Sequence, residues 1–369
     1  MSELKRIEIQ DLNLWEKKRK QSRALYSFDL ELTARCNLNC RHCYINLPAN
    51  DKKAMEKELT IQEIEEIADQ AIELGAVWVL ISGGEPLLRS DFVDIYLMLK
   101  HKGLLVSVFT NATLIRPEHV DLFKKYPPRD IEITIYGSQK EIYEKVTRKN
   151  GSFSSFNRGL NALIDAGVRL RLKAMALRSN KDDLAAIAKF GQKYTKDFYR
   201  FDPVLHLRYD RDEKRNEEIR SERLSPNEIV ALEQADKKRF DSLKNNCDEF
   251  IIETFKYRHD DHLFHCGAGN GSFSIGYDGT FKLCTSLSAP GTTVNLREVS
   301  LKEAWEEFVP QVRDMRIRNS EYLRKCAKCP IVNLCLNCPA HAYLETGKMD
   351  AIVPYFCEVA NARAATLTK

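Results

Sequence analysis

The sequence has little that would tie it to a membrane, a nucleic acid or the cell exterior. No run approaches the roughly 20 apolar residues of a bilayer span, and Met1 to Lys20 is charged throughout, without the apolar core of a signal peptide. Charge of one sign is scarce too: Lys+Arg 57 against Asp+Glu 53 leaves a net +4 spread along the chain, too weak to indicate a nucleic-acid or membrane surface. Low-complexity tracts and repeats at a solenoid period are missing. The eleven cysteines are odd in number and grouped, and 369 residues need no disulfides to make a core, so a secreted disulfide framework fits poorly. The expected location is the reducing cytoplasm, where clustered thiols point to metal.

With 43% hydrophobic and 30% charged residues, the chain has the composition of a globular protein of two domains or more. Up to about residue 208, β-rich runs alternate with helical stretches, the pattern of parallel strands joined by crossover helices. Strands are expected at Leu25 to Thr33, Val77 to Ser82, Leu104 to Thr110, Ile131 to Tyr136, Val168 to Leu177 and Phe201 to Arg208. Thr60 and Glu63 form a capping box before an apolar stripe at Ile61, Ile64, Ile67, Ala68, Ala71 and Ile72. Ser90 is expected to cap the next helix in the same way. Further helices are expected at Pro117 to Lys124, Ser152 to Ala166 and Asp182 to Tyr194. The architecture read from this is α/β, a partial (β/α)6 TIM-like barrel over residues 1–209, with an open doubly wound sheet as runner-up. Residues 210–246 read as a charged linker and bridging helix. Residues 247–369 hold eight of the cysteines and read as a small ligand-stapled domain, with a Tyr277-Asp278-Gly279-Thr280 turn between short strands.

The first cysteine group, Cys36-x3-Cys40-x2-Cys43, directly follows the first strand. A closed structural zinc site wants four ligands, so a triplet either recruits His42 or a remote residue, or holds a cubane iron-sulfur cluster with one iron left open. In a β/α barrel this loop lies at the active-site end. The next such loop is Gly83-Gly84-Glu85-Pro86, whose glycines let backbone approach a ligand closely. Thr110-Asn111, Gly137-Ser138, Asn180 and Tyr209-Asp210 end the later strands, so polar groups from six loops would face one mouth.

Together, the cysteine triplet and the Gly-Gly-Glu-Pro loop resemble the radical S-adenosylmethionine enzymes, over about residues 25 to 210. The resemblance implies that Cys36, Cys40 and Cys43 bind a 4Fe-4S cluster whose fourth iron is chelated by S-adenosylmethionine. It places Gly83, Gly84 and Glu85 at the methionyl amino group and His42 near adenine, with Asn111, Thr134 and Arg148 at ribose or carboxylate. A 5'-deoxyadenosyl radical would then take a hydrogen atom from substrate carbon.

Downstream, Cys266-x12-Gly279-x4-Cys284, Cys326-x2-Cys329-x5-Cys335-x2-Cys338 and Cys357 are similar to the SPASM extension of these enzymes. Read alone, the second group also suits a four-thiolate zinc ribbon. The resemblance implies two auxiliary 4Fe-4S clusters, one on Cys266, Cys284 and Cys338, the other on Cys326, Cys329, Cys335 and Cys357. Three clusters are thus expected. The first auxiliary cluster lacks an obvious fourth ligand, for which Cys247, His262, His265 or an open iron are the alternatives.

The resemblance implies an oxidoreductase that matures a peptide or protein; side-chain modification of a tetrapyrrole in haem biosynthesis is the alternative, and a zinc-ribbon binding protein a third reading. Flavodoxin or ferredoxin is the expected kind of electron donor. Only 35 residues precede Cys36, too few for a fused leader-recognition domain, so any leader is expected to be held by a separate leader-binding protein or by another surface. Sulfatase maturation is disfavoured, because Thr285 stands where that group has a basic aspartate. Asp202, His206, Tyr209 and Asp210 are the candidates for deprotonation or radical quenching near the sixth loop.

Overall fold

The computed structural model describes residues 24–195, 199–245, 261–335 and 337–367. Cys247, one of the candidate ligands, lies outside them.

All six expected strands form. They are β1 (Ser27–Glu31), then, after two short pairs of residues at β2 (Arg35–Cys36) and β3 (Leu47–Pro48), β4 (Trp78–Ser82), β5 (Leu105–Thr110), β6 (Asp130–Ile135), β7 (Leu170–Met175) and β8 (Arg200–Asp202). The last stops well short of residue 208 because Pro203 cannot donate to a ladder. Strands β1, β4, β5, β6, β7 and β8 lie side by side in that order, every pair parallel, with Leu30 opposite Ile81, Val79 opposite Val106 and Val108 opposite Ile131. The first and last strands are not paired with each other, so the barrel is partial.

The edge at β1 is covered by the second half of the chain. Strand β9 (Ser272–Ile275) pairs parallel to β1, and β10 (Thr280–Lys282) and β11 (Thr293–Asn295) continue the same sheet as an antiparallel meander. The expected Tyr277-Asp278-Gly279-Thr280 turn joins β9 to β10, with Gly279 at φ +83°. One core runs through both halves: Phe28 stacks on Phe273 at 5.6 Å, and Phe273 meets Phe281 at 5.0 Å and Trp305 at 5.9 Å.

Helices follow the apolar stripes. Thr60 accepts from the Glu63 N–H at 3.2 Å and Glu63 accepts from the Thr60 N–H at 2.7 Å, the reciprocal cap that starts Ile61–Glu73. Pro117–Lys125, Ser152–Asp165 and Leu184–Tyr194 form as expected. The cap at the next helix differs: Asp91, not Ser90, is the N-cap of Phe92–His101, and it makes no side-chain cap bond because Arg89 holds its carboxylate at 2.8 and 2.6 Å. The charged stretch after the barrel is ordered, with a helix at Glu213–Glu222. The bridging helix is two, Pro226–Ala235 and Lys237–Asn245, broken where Asp236 turns extended. Among the described residues no helix is long and apolar enough to cross a membrane.

The shared aromatic cluster makes a prediction. Phe273→Ala should cost about 3–5 kcal/mol by cavity formation at the seam between the halves, read as a lowered denaturation midpoint.

Candidate functional site

Cys36 ends β2, and Cys40 and Cys43 follow in the loop, so the three thiols sit at the carboxyl end of the sheet. All three line one cavity of about 180 Å³, with Gly83, Gly84, Thr110, Asn111, Thr134 and Tyr136 among its other walls. Their sulfurs already accept hydrogen bonds: the Leu38 N–H donates to Cys36 Sγ at 3.4 Å, the Asn46 N–H to Cys43 Sγ at 3.4 Å, and Asn111 Nδ2 to Cys36 Sγ at 3.8 Å. Burial, then neighbouring negative charge, pushes the Cys36 and Cys40 thiols far up. Such sulfurs ionise only by giving their protons up to a metal centre, and a three-thiol pocket of this kind fits an iron-sulfur cluster with one open iron.

The two glycines have a steric reason. A Cβ on Gly83, at φ +136°, would lie 2.3 Å from the Thr33 carbonyl oxygen, and one on Gly84 would lie 2.2 Å from that of Arg35. Only glycine lets the chain leaving β4 run this close to the backbone of Thr33 and Arg35, which leads into the cysteine loop. Glu85 does not line the cavity. It is wholly buried behind the wall, where its carboxylate accepts from Thr110 Oγ1 at 2.7 Å, the Asn111 N–H at 2.7 Å and the Leu87 N–H at 3.2 Å. Burial pushes it up to about 7 against the pull of those three donors. It thereby fixes the end of β5 and the Asn111 backbone, while the Asn111 side chain donates to Asn37 Oδ1 at 3.0 Å.

A second chamber of about 560 Å³ adjoins the first, and Tyr44, Ser82, Phe109, Lys173 and Met175 line both. His42 faces this chamber rather than the thiol cavity; its ring packs on Tyr136 at 5.2 Å, and burial, then Arg215, lowers its pKa to about 4. Arg148 lines neither space: it ends the helix Lys140–Thr147 in the left-handed region at φ 53° and pairs with Glu218 at 3.0 Å.

Of the four candidates near the sixth strand, Asp202 and His206 line the chamber. His206 stacks on His341 at 4.9 Å, and burial, then His341, lowers its pKa to about 3, so it is a neutral imidazole. Tyr209 packs against Tyr44 at 4.9 Å, outside the chamber lining. Asp210 is taken up by Arg208 at 2.6 Å. The sequence reading missed Asp29. This carboxylate lines the chamber and accepts from Ser274 Oγ at 3.2 Å and Thr285 Oγ1 at 3.3 Å, while burial raises its pKa. The signal was available: Asp29 and Glu31 are acids two apart in a short strand whose other face carries Phe28 and Leu30, hence they share one face.

In the second half, Cys326, Cys329, Cys335 and Cys357 line one cavity of about 100 Å³. The Cys284 thiol is pushed up to about 11 by burial, with Cys338 and Cys266 near enough to add to the rise. The structure thus places Cys326, Cys329, Cys335 and Cys357 around one space and Cys266 and Cys338 near Cys284. Among the described residues no three His, Cys, Asp or Glu side chains are placed to hold a single metal ion. His262 is engaged with Asp314 at 3.3 Å and Arg316 at 3.1 Å, and His265 is exposed.

The comparisons agree with this chemistry. Residues 30–191 match the radical SAM superfamily, and residues 266–330 match the SPASM iron-sulfur cluster-binding domain. An AdoMet-dependent heme synthase from Methanosarcina barkeri is 25% identical over 347 residues, 88% of this chain and 94% of that protein. Mycofactocin maturase MftC from Mycolicibacterium smegmatis is 32% identical over 167 residues, 44% of this chain and 41% of its own. Streptococcus suis SuiB bound to precursor peptide SuiA shares the fold at TM-score 0.67 and 16% identity, over 94% of this chain and 78% of that one.

Gly84→Ala tests the close approach. The added carbon forces the Arg35 backbone away, and reconstituted iron should fall by about four per chain with the rest of the fold retained by circular dichroism.

Proposed function

Because the chain is a radical S-adenosylmethionine enzyme with an auxiliary-cluster SPASM domain, we propose that it abstracts hydrogen from a side chain of a ribosomally made peptide or protein during its maturation. The observation that carries the reading is that the thiol cavity and the larger chamber lie side by side and share Tyr44, Ser82, Phe109, Lys173 and Met175 as lining. A radical formed in the first space meets carbon held in the second.

In this reading Cys36, Cys40 and Cys43 hold the reactive cluster, Gly83 and Gly84 let S-adenosylmethionine lie against backbone, and Asn111 and Thr134 offer polar contacts to it. Glu85 fixes these walls from behind. When bound, the cluster and S-adenosylmethionine supply one-electron cleavage of a carbon–sulfur bond and a 5'-deoxyadenosyl radical. The chain's own part is to aim and to exclude water: Phe109, Met175 and Leu80 are apolar walls, and the Tyr44 ring lines both spaces. Asp202, His206 and Asp29 are the titratable groups within reach of bound substrate. Burial raises the proton affinity of Asp29, which can take a proton beside Thr285, a role a carboxylate from β1 would fill where residue 285 itself has none. His206, by contrast, is held as a neutral imidazole that can hydrogen-bond substrate.

Cys266, Cys284 and Cys338 would hold one auxiliary cluster and Cys326, Cys329, Cys335 and Cys357 the other, with a ferredoxin or flavodoxin as reductant in a reducing cytoplasm. A separate protein would present any leader peptide.

A tetrapyrrole substrate is the second reading. It is favoured by the heme synthase relative, which matches almost end to end where the mycofactocin maturase matches over less than half of this chain. Adding a propionate-bearing iron porphyrin to the anaerobic protein separates the two: a shifted Soret band supports this reading, an unchanged one the peptide.

The core assignment has its own test. Anaerobically reconstituted protein should carry about twelve irons and give 5'-deoxyadenosine from S-adenosylmethionine and dithionite. Cys36→Ala should abolish that product and remove about four irons; a full yield from Cys36→Ala would sink the assignment.

A further inference from the structure

The stretch 208–222 is bonded to the loop that carries the three thiols. Arg208 Nη1 donates to the carbonyls of Cys43 and Asn46 at 3.4 and 3.3 Å and to Asn46 Oδ1 at 3.0 Å. Arg215, on the helix Glu213–Glu222, donates from Nη1 to Asn39 Oδ1 at 2.8 Å and from Nη2 to the Cys40 carbonyl at 3.0 Å and Asn46 Oδ1 at 3.3 Å. Two guanidiniums therefore converge on Asn46 and reach the backbone of two of the three thiol residues. Their side chains are 4% and 18% exposed, so water screens them little.

The helix behind them is braced. Glu218 pairs with Arg148 at 3.0 Å and with Arg215 at 3.5 Å, Glu222 approaches Arg41 of the cysteine loop at 3.8 Å, and Asn216 Oδ1 accepts from the Arg208 N–H at 2.9 Å. Asp210 takes the other edge of the Arg208 fork. Asp210 is about half exposed and Glu218 about a quarter exposed, so their counter-charges are better screened than the cations they face.

We propose that Arg208 and Arg215 are positioning residues for the cluster held by Cys36, Cys40 and Cys43, fixing its loop and making its one-electron reduction easier. The inference rests on the radical-enzyme reading above. A cluster on three thiolates is already anionic and gains a further negative charge when it takes one electron from an external reductant; no bond forms or breaks in that step. Cations held in a poorly screened setting stabilise the reduced form more than the oxidised one. A guanidinium bonded to the Cys40 or Cys43 carbonyl also turns the negative end of that dipole onto itself and away from the sulfurs. Arginine suits the task because its planar fork spans two or three oxygens at once and its charge cannot titrate.

The test uses full-length, anaerobically reconstituted protein, with dithionite as reductant and S-adenosylmethionine as probe. The electron paramagnetic resonance signal that S-adenosylmethionine perturbs reports this cluster apart from the auxiliary ones. Arg215→Gln should keep wild-type iron, move the midpoint potential of that signal to more negative values, and slow 5'-deoxyadenosine formation several-fold. Titanium(III) citrate, a stronger reductant, should restore the rate. Arg215→Lys retains the charge and should shift the potential less. Arg208→Gln should act in the same direction; should it fail to fold, the Arg215 pair decides. An unshifted potential in Arg215→Gln with full iron overturns the proposal, as does loss of iron without a shift. If wild type itself makes no 5'-deoxyadenosine, it is the radical-enzyme reading that fails.

Discussion

Three sulfurs around one cavity at the carboxyl end of the sheet set the conditions for everything around them. Cys40 is buried and Cys36 half-buried, and burial, with the neighbouring Cys43 sulfur adding to it, holds both thiols against ionisation. Thiolates in such a place persist only when a metal centre replaces their protons, so assembly of the cluster and release of protons are one event. The walls follow from that demand. β4 must pass within van der Waals reach of the strand before the cysteine loop, which removes every side chain at 83 and 84, and the carboxylate of residue 85 must then turn away from the sulfurs and spend its hydrogen bonds on the end of β5.

Much of this was legible in the sequence, for a physical reason. Six apolar runs separated by amphipathic helices admit few arrangements, and Cys36, Cys40, Cys43, Gly83 and Gly84 carry their constraint locally, in spacing and in the absence of a Cβ. The two thiol sets of the second half were also separable by resemblance. What stayed hidden depends on distant pairings. Glu85 looks like a ligand group because a glycine-rich turn usually presents its neighbours to a cavity; only the position of Thr110 and Asn111 on the adjacent strand shows that it faces inward. Asp210 looks like a free acid at a strand end until Arg208 is seen folded onto it. The charge-dense segment after residue 210 carries almost no apolar stripe; its helix is placed by the single buried Ile219 together with ion pairs to Arg41 and Arg148, which no periodicity reveals.

The reaction chamber is a composite. Strands β1, β4, β5 and β7 supply Asp29, Leu80, Phe109 and Met175, the segment after β8 supplies Val204 to His206, and the second half supplies Thr285, Ser286, His341 and Arg363. No stretch of 50 consecutive residues contributes even half of the lining, so its chemistry is a property of the packing rather than of a motif. Arg239 and Arg363 share the buried carboxylate of Glu233 at 3.1 and 2.7 Å, which ties the bridging helices to the last helix and holds the far wall in place.

The way the sheet is finished has a consequence of its own. An open row of parallel strands leaves raw N–H and C=O groups along β1, a template on which a second molecule can add. In this protein β9 occupies that template, and the meander beyond it moves the margin outward to the three residues of β11. The cysteine-rich half is therefore also a sheath: a barrel severed from it would expose a sticky, ladder-ready border and tend to precipitate as it folds.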